Sequence, residues 1–191
     1  MQNKQKPRID SVAADAMTVE QRAAADIVAA GPRRSVRGPF AVLLNSPGVF
    51  APAQALGTYL RFENAMPANL RELAILVTAR HWRQDYEWRV HSAIALDAGL
   101  NHAAIAAISA GNEPPGLTGQ EAIVYEFCRQ LHATTSVDDA VFAQAERLLG
   151  PDGVIDLCAI CGYYAMLAMV MNVARNPLPD GNSPFGQNPT G

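Results

Sequence analysis

The sequence has no basic stretch, no apolar leader and few cysteines, and each shortage removes a class of function. Lys and Arg total 15 against 18 Asp and Glu, a formal net charge of −3. With no strongly basic run, neither a nucleic acid nor an anionic membrane is an expected partner. The densest basic patch, Arg33, Arg34 and Arg37 beside Gly31-Pro32, reads as a solvated loop. Met1 to Asp10 is polar and lacks the apolar core of a secretory signal, so the expected location is cytoplasmic. Three cysteines do not make a full disulfide framework. Cys158 and Cys161 form a CxxC, but it falls inside a long apolar stretch with no adjacent Lys, Arg or His. A redox CxxC usually opens a helix, where the dipole activates the thiol, so these two read as core thiols. No second cysteine pair or nearby His supports zinc, and no metal is expected. There is no Walker A loop, GxGxxG, GxSxG or fixed-period repeat. No run alternates with period two for long enough to support a sheet.

What is present is helical. At 191 residues and 49% hydrophobic, the chain fits one domain with a sizeable core. Thr18 with Gln21 and Thr118 with Glu121 read as capping boxes, and Ser136 with Asp139 repeats the pattern. Ser46-Pro47 opens a helix running toward Phe62, and Met66-Pro67 opens another. The run PFAVLLN from Pro39 fits either a strand or a helix. An interruption is expected at His81 to Gln84, a stop at Gly99, and an Asn101-capped helix before Gly111. Gly150-Pro151 separates the last two helices. The most hydrophobic stretch, Val154 to Ala174, is long enough to span a bilayer. It carries Asp156, Gly162, Tyr163, Tyr164 and Asn172, so it reads as a core or subunit-interface helix. The expected division is an N-terminal helix and loop over 1–37, an all-α helical domain over 38–175, and a Pro- and Gly-rich extended tail over 176–191 poised to wrap a neighbouring subunit.

Chemistry concentrates in residues 71–99, RELAILVTARHWRQDYEWRVHSAIALDAG. Glu87 and His91 are four apart and share a helix face, with Trp88 beside them and Gln84 one turn earlier. Glu72 lies on the preceding helix among apolar residues. A hairpin of the two helices brings Glu72 to His91, and a carboxylate beside an imidazole tunes both for proton transfer near neutral pH. On spacing alone, a surface salt bridge or a structural hydrogen bond fits the same residues.

The stretches GPFAVLLNSP (38–47), LRELAILVTARHWRQDYEWRVH (70–91), AGL (98–100), GYYAML (162–167) and PLPDG (177–181) resemble the carboxymuconolactone decarboxylase family of the alkylhydroperoxidase D-like superfamily. The resemblance implies an alkylhydroperoxidase D-like helical bundle and a homotrimer or hexamer with sites near subunit interfaces. In the redox branch a Glu precedes a CxxC and a His. Here those cysteine positions fall on Gln84 and Glu87, so the redox pair is missing while Glu72 and His91 remain. The motif Tyr86-Glu87-Trp88 with His91 is similar to the branch without it. That implies cofactor-free decarboxylation of a carboxylated unsaturated lactone from aromatic catabolism, or a related lyase or isomerase reaction on a keto acid. His91, Glu72 and Glu87 are then the catalytic candidates and Tyr86, Trp88 and Gln84 the substrate-binding ones, with Arg71, Arg80, Arg83 and Arg89 as candidate anion holders. The competing readings are a peroxidase-related antioxidant protein using Cys158 or Cys161, and a non-catalytic ligand-binding oligomer.

Overall fold

The structure, a computed structural model, describes residues 6–175 and 183–185. Among the described residues there is no strand. The all-α expectation holds, and PFAVLLN resolves to a short helix, α2 (Pro39–Leu43). The chain divides into two compact units, one formed by Met1–Asn64 with Met166–Gly181 and the other by Ala65–Ala165 with Asn182–Gly191.

The first unit begins with α1 (Val19–Ala30), whose capping box is formed as read: Thr18 Oγ1 accepts from the Gln21 amide and Gln21 Oε1 from the Thr18 amide. Gln21 Nε2 also donates to the Leu44 carbonyl at 3.0 Å, tying α1 to the end of α2. α3 (Pro47–Thr58) starts with Pro at N1 and widens into a π-turn over Tyr59–Glu63. Phe40 and Phe50 pack edge to face at 5.6 Å. The Arg33 guanidinium lies 4.5 Å from the Phe40 ring centre, so the basic loop is not wholly solvated.

The second unit is built around α4 (Ala68–His81). From Glu72 to Ala79 every residue is buried, which is the signature of a helix surrounded by others rather than lying on a surface. α5 (Asp85–Asp97), α6 (His102–Ala110) and α7 (Gly119–Thr134) pack against it. The turn from α4 to α5 is tight. Arg83 takes the left-handed conformation (φ 48°), and Gln84 caps α5 by accepting from the Tyr86 amide at 2.7 Å. Gly99 at φ 93° ends α5, and Asn101 caps α6 through the Ala103 amide, both as expected. The Thr118–Glu121 capping box opens α7.

The Ser136 cap is a correction. α8 (Asp139–Ala174) starts three residues later, and the Ser136 carbonyl is taken by the Thr134 hydroxyl. Gln130 organises this corner instead: its Oε1 accepts from the Asp138 amide, and its Nε2 donates to Asp138 Oδ2. α8 breaks at Gly150, which sits at φ 71°, ψ 170°. Pro151 demands an extended residue before it, and a positive φ with that ψ is accessible only to glycine. Beyond the break α8 averages a hydropathy of 1.9 over its most apolar window, half of which is buried. Val154, Leu157, Ile160, Cys161, Tyr163, Tyr164, Leu167, Ala168, Met171 and Ala174 are its buried residues beyond the break, as a core helix requires. The expected tail lies outside the described residues except for Ser183, Pro184 and Phe185.

Two glycines in α8 give opposite expectations. Gly150→Ala meets no neighbouring atom within 4 Å, so its cost is the backbone strain alone, about 1–3 kcal/mol. Gly162→Ala, in regular helix with equally open surroundings, gains about 0.5–1 kcal/mol. Urea unfolding of the two variants checks both signs.

Candidate active site

Glu72 is a carboxylate on a helix that is apolar all round, and such a group is stable only if paired. α5 supplies the partner. His91 Nδ1 lies 2.6 Å from Glu72 Oε2, and His91 Nε2 lies 3.4 Å from Glu87 Oε2 one turn back on the same helix. Glu72, Glu87 and His91 are 1%, 3% and 2% exposed, which rules out the surface salt bridge. Arg71 Nε stands 3.8 Å from Glu72 Oε1, and Arg71 Nη1 donates to the Met66 carbonyl. The row Arg71, Glu72, His91, Glu87 therefore alternates in charge when the ring is protonated.

Both ring nitrogens face a carboxylate oxygen, and only the imidazolium can donate to both. Burial works against that charged form, but the hydrogen bonds from Glu72 and Glu87, and the charges of both, outweigh it and raise the His91 pKa above its ordinary 6.5. Glu87 Oε1 is buried and has no hydrogen-bond partner among the described residues. It is a spare acceptor at the inner edge of the cluster. The Tyr164 ring meets His91 edge-on at 5.0 Å and closes one side of the imidazole, and Tyr163 packs edge-on against Tyr164 at 5.4 Å.

Of the remaining candidates, Gln84 is buried with its carbonyl oxygen engaged as the α5 cap, and Trp88 is buried against Phe185 at 5.2 Å between ring centres. Tyr86 is half-buried. The arginines separate. Arg71 reaches the carboxylates, whereas Arg80 and Arg83 stand 5.5 and 5.9 Å from the Phe185 ring centre, and Arg83 Nη2 donates to the Phe185 carbonyl. The sequence marks Tyr164 only as one of a tyrosine pair in a largely aliphatic helix, not as part of the site. A groove of about 710 Å³ lined by Asn69, Thr118, Ile123, Glu126, Val141 and Gln144 includes none of the Glu72, Glu87 and His91 set. Among the described residues no group of three or more His, Cys, Asp or Glu side chains has the arrangement of a metal-binding set.

The raised His91 pKa fixes the sign of a pH effect. The ion pair contributes stability fully below the unfolded value of 6.5 and loses it as pH rises through the higher folded value. Wild-type stability should therefore fall from pH 6.5 upward in a way that His91→Asn does not reproduce. His91→Asn itself strands two buried carboxylates and should cost about 3–5 kcal/mol. Denaturant titrations across the pH range test both; parallel wild-type and variant profiles would exclude a buried imidazolium.

Residues 47–127 match the pattern of the carboxymuconolactone decarboxylase family, a segment that holds Glu72, Gln84, Tyr86, Glu87, Trp88 and His91. No curated protein matches the chain.

Proposed function

We propose, from the match of residues 47–127 to the carboxymuconolactone decarboxylase family, that the chain is a cofactor-free acid/base enzyme acting on a small carboxylated lactone or keto acid. One observation carries the reading: His91 is a buried ring held between two carboxylates, one of which keeps a buried oxygen without a hydrogen-bond partner among the described residues. Decarboxylation of an unsaturated lactone acid releases CO₂ and leaves an extended enolate. The distal carbon must then receive one proton, which the His91 imidazolium delivers from Nε2. Glu72 keeps the Nδ1 proton and so holds the ring in one tautomer and orientation throughout. After transfer, the bare Nε2 lone pair faces the Glu87 carboxylate. That repulsion favours recovery of a proton from solvent and completes the cycle. Glu87 Oε1 is the acceptor for a substrate hydroxyl or enol, and Arg71 is the cation nearest to the cluster for a substrate carboxylate. Neither of the redox-branch cysteine positions, 84 and 87, carries sulfur, so a peroxide reaction at this site has no nucleophile.

The site is closed within a single chain, and we assign it to a homotrimer or hexamer. Exposed apolar residues on α8 support assembly: Ile155 is 68% and Val173 57% exposed, with Phe142 and Met169 also open. Light scattering on a sizing column should give a multiple of the 20.4 kDa chain; a monomer at micromolar concentration would exclude assembly.

On a substrate found by screening lactone and keto acids, His91→Ala should lower kcat/KM by at least about 10²-fold while staying folded. Glu72→Gln removes a charge that raises the His91 pKa, so the alkaline limb of the pH–rate profile should move to lower pH. His102, exposed at the start of α6, is the control. Equal losses in His91→Ala and His102→Ala would mean that the Glu–His cluster is structural.

A further inference from the structure

The second buried polar residue of the apolar stretch of α4 is Thr78, and it leads to a second cluster. Thr78 lies six residues beyond Glu72, about 9 Å farther along the axis and about 120° away around it. Its hydroxyl donates to the Ala74 carbonyl at 2.9 Å, leaving its oxygen to accept from His132 Nε2 on α7, also at 2.9 Å. The His132 ring stacks on His81 at 4.8 Å, with 19° between planes. On the inner side of this pair the sulfurs of Cys128 (α7) and Cys161 (α8) lie 3.5 Å apart, both buried and both free thiols. The sequence pairs Cys161 with Cys158, but Cys158 is exposed on α8, and the sulfur that Cys161 meets belongs to Cys128.

Inert core cysteines sit among apolar groups. Cys161 instead has the Cys128 sulfur 3.5 Å away and feels the Thr78 hydroxyl and the His132 imidazole, which bind each other. The Cys128 hydrogen bond lowers its pKa most. His132, by hydrogen bond and charge, and Thr78 add to this, and together they overcome the opposing effect of burial. Cys128 is pushed the other way, well above the ordinary thiol value, first by its hydrogen bond to Cys161 and then by burial. Cys158 is raised by burial and by the charge of Cys161. The pair is thus asymmetric: their shared hydrogen bond lowers the Cys161 pKa and raises that of Cys128. The groups facing Cys161 are Thr78 from α4, Cys128 and His132 from α7, and Cys158 one turn earlier on α8, with His81 behind His132. His132 is half-buried and His81 exposed. Cys128, His132 and Cys161 all fall outside the segment that matches the family.

We propose that Cys128 and Cys161, assisted by His132, are a redox-active dithiol that hydrogen peroxide converts to an intramolecular disulfide, at a site separate from His91. The Cys161 proton passes to His132, and the thiolate attacks one peroxide oxygen. The O–O bond breaks, Cys161 becomes a sulfenic acid, and the departing hydroxide takes the proton from His132 as water. The Cys128 thiol then attacks the sulfenic sulfur and releases a second water. Two thiols and one peroxide give one disulfide and two waters. The sulfurs close from 3.5 Å to bonding distance by side-chain rotation. The acid/base reading of His91 stands or falls independently.

The test uses the full chain carrying Cys158→Ser, a change at an exposed position that leaves Cys128, His132 and Cys161 in place. After one equivalent of hydrogen peroxide and alkylation of remaining thiols, the intact mass should show loss of two hydrogens with no added alkyl group. Non-reducing trypsin digestion should link peptide Val90–Arg129 to Leu148–Arg175, and dithiothreitol should release them. His132→Asn should slow the reaction by about 10-fold or more, and Cys128→Ser should leave a sulfenic acid on Cys161 that dimedone traps. Two free thiols after peroxide treatment of the folded protein, or linkage only between separate chains, would overturn the proposal. Oxidation of His132→Asn at the unaltered rate would remove His132 from it. The mapping on the Cys158→Ser chain depends on no core substitution, so a variant that fails to fold does not protect the claim.

Discussion

The contact between Glu72 Oε2 and His91 Nδ1, 2.6 Å across α4 and α5, is the constraint around which the second unit is arranged. A carboxylate in the apolar stretch of α4 is tolerable only with a partner of opposite charge, and that partner must come from a helix lying directly alongside. The tight turn at Trp82–Gln84 delivers α5 there: the left-handed Arg83 reverses the chain and the Gln84 cap starts the new helix immediately. One turn into α5, Glu87 takes the other ring nitrogen, and Arg71 stands beside the far oxygen of Glu72. Four side chains of alternating sign cancel in total. That cancellation lets two carboxylates stay buried 3.4 Å or less from one imidazole.

Much of this was legible in the sequence because it is local. Capping boxes, glycine stops and the four-residue spacing of Glu87 and His91 depend on neighbours along the chain, and the structure reproduces the two capping boxes at Thr18 and Thr118 and the stop at Gly99. The reach of Glu72 to His91 needed only the inference that consecutive helices form a hairpin. The Ser136 cap failed because Gln130, from the previous helix, took over the Asp138 amide, a competition that a four-residue motif does not reveal. Gln84, a substrate-binding candidate in the sequence, also caps α5 with its oxygen, a role that its place one turn before Glu87 does not reveal.

The cysteines show what local reading misses. Cys158 and Cys161 are close in sequence, but they point to different environments on α8, one open and one closed. The sulfur partner lies 33 residues away on α7. His132 is held by Thr78 and His81, contacts that only packing shows. A useful signal was available in α4. Among the buried residues from Glu72 to Ala79, the two that are polar, Glu72 and Thr78, each lead to a polar cluster on a neighbouring helix. A polar residue kept in a stretch that is apolar on every side has a partner somewhere, and locating that partner requires the fold.

The three described residues near the C-terminus bear on the order in which the chain folds. Ser183 donates to Asp85, Ser109 donates to the Pro184 carbonyl, and Phe185 sits near Trp88, Arg80 and Arg83. Ser183 and Asp85 are 98 residues apart. Closing a loop of that length in an unstructured chain costs on the order of 4 kcal/mol, more than one hydroxyl–carboxylate bond returns. The clasp therefore closes only after α5 through α8 have brought its two ends together. In kinetic terms it is a latch and not a nucleus: it slows the opening of a helical body that has already formed, and adds little to the speed of forming it.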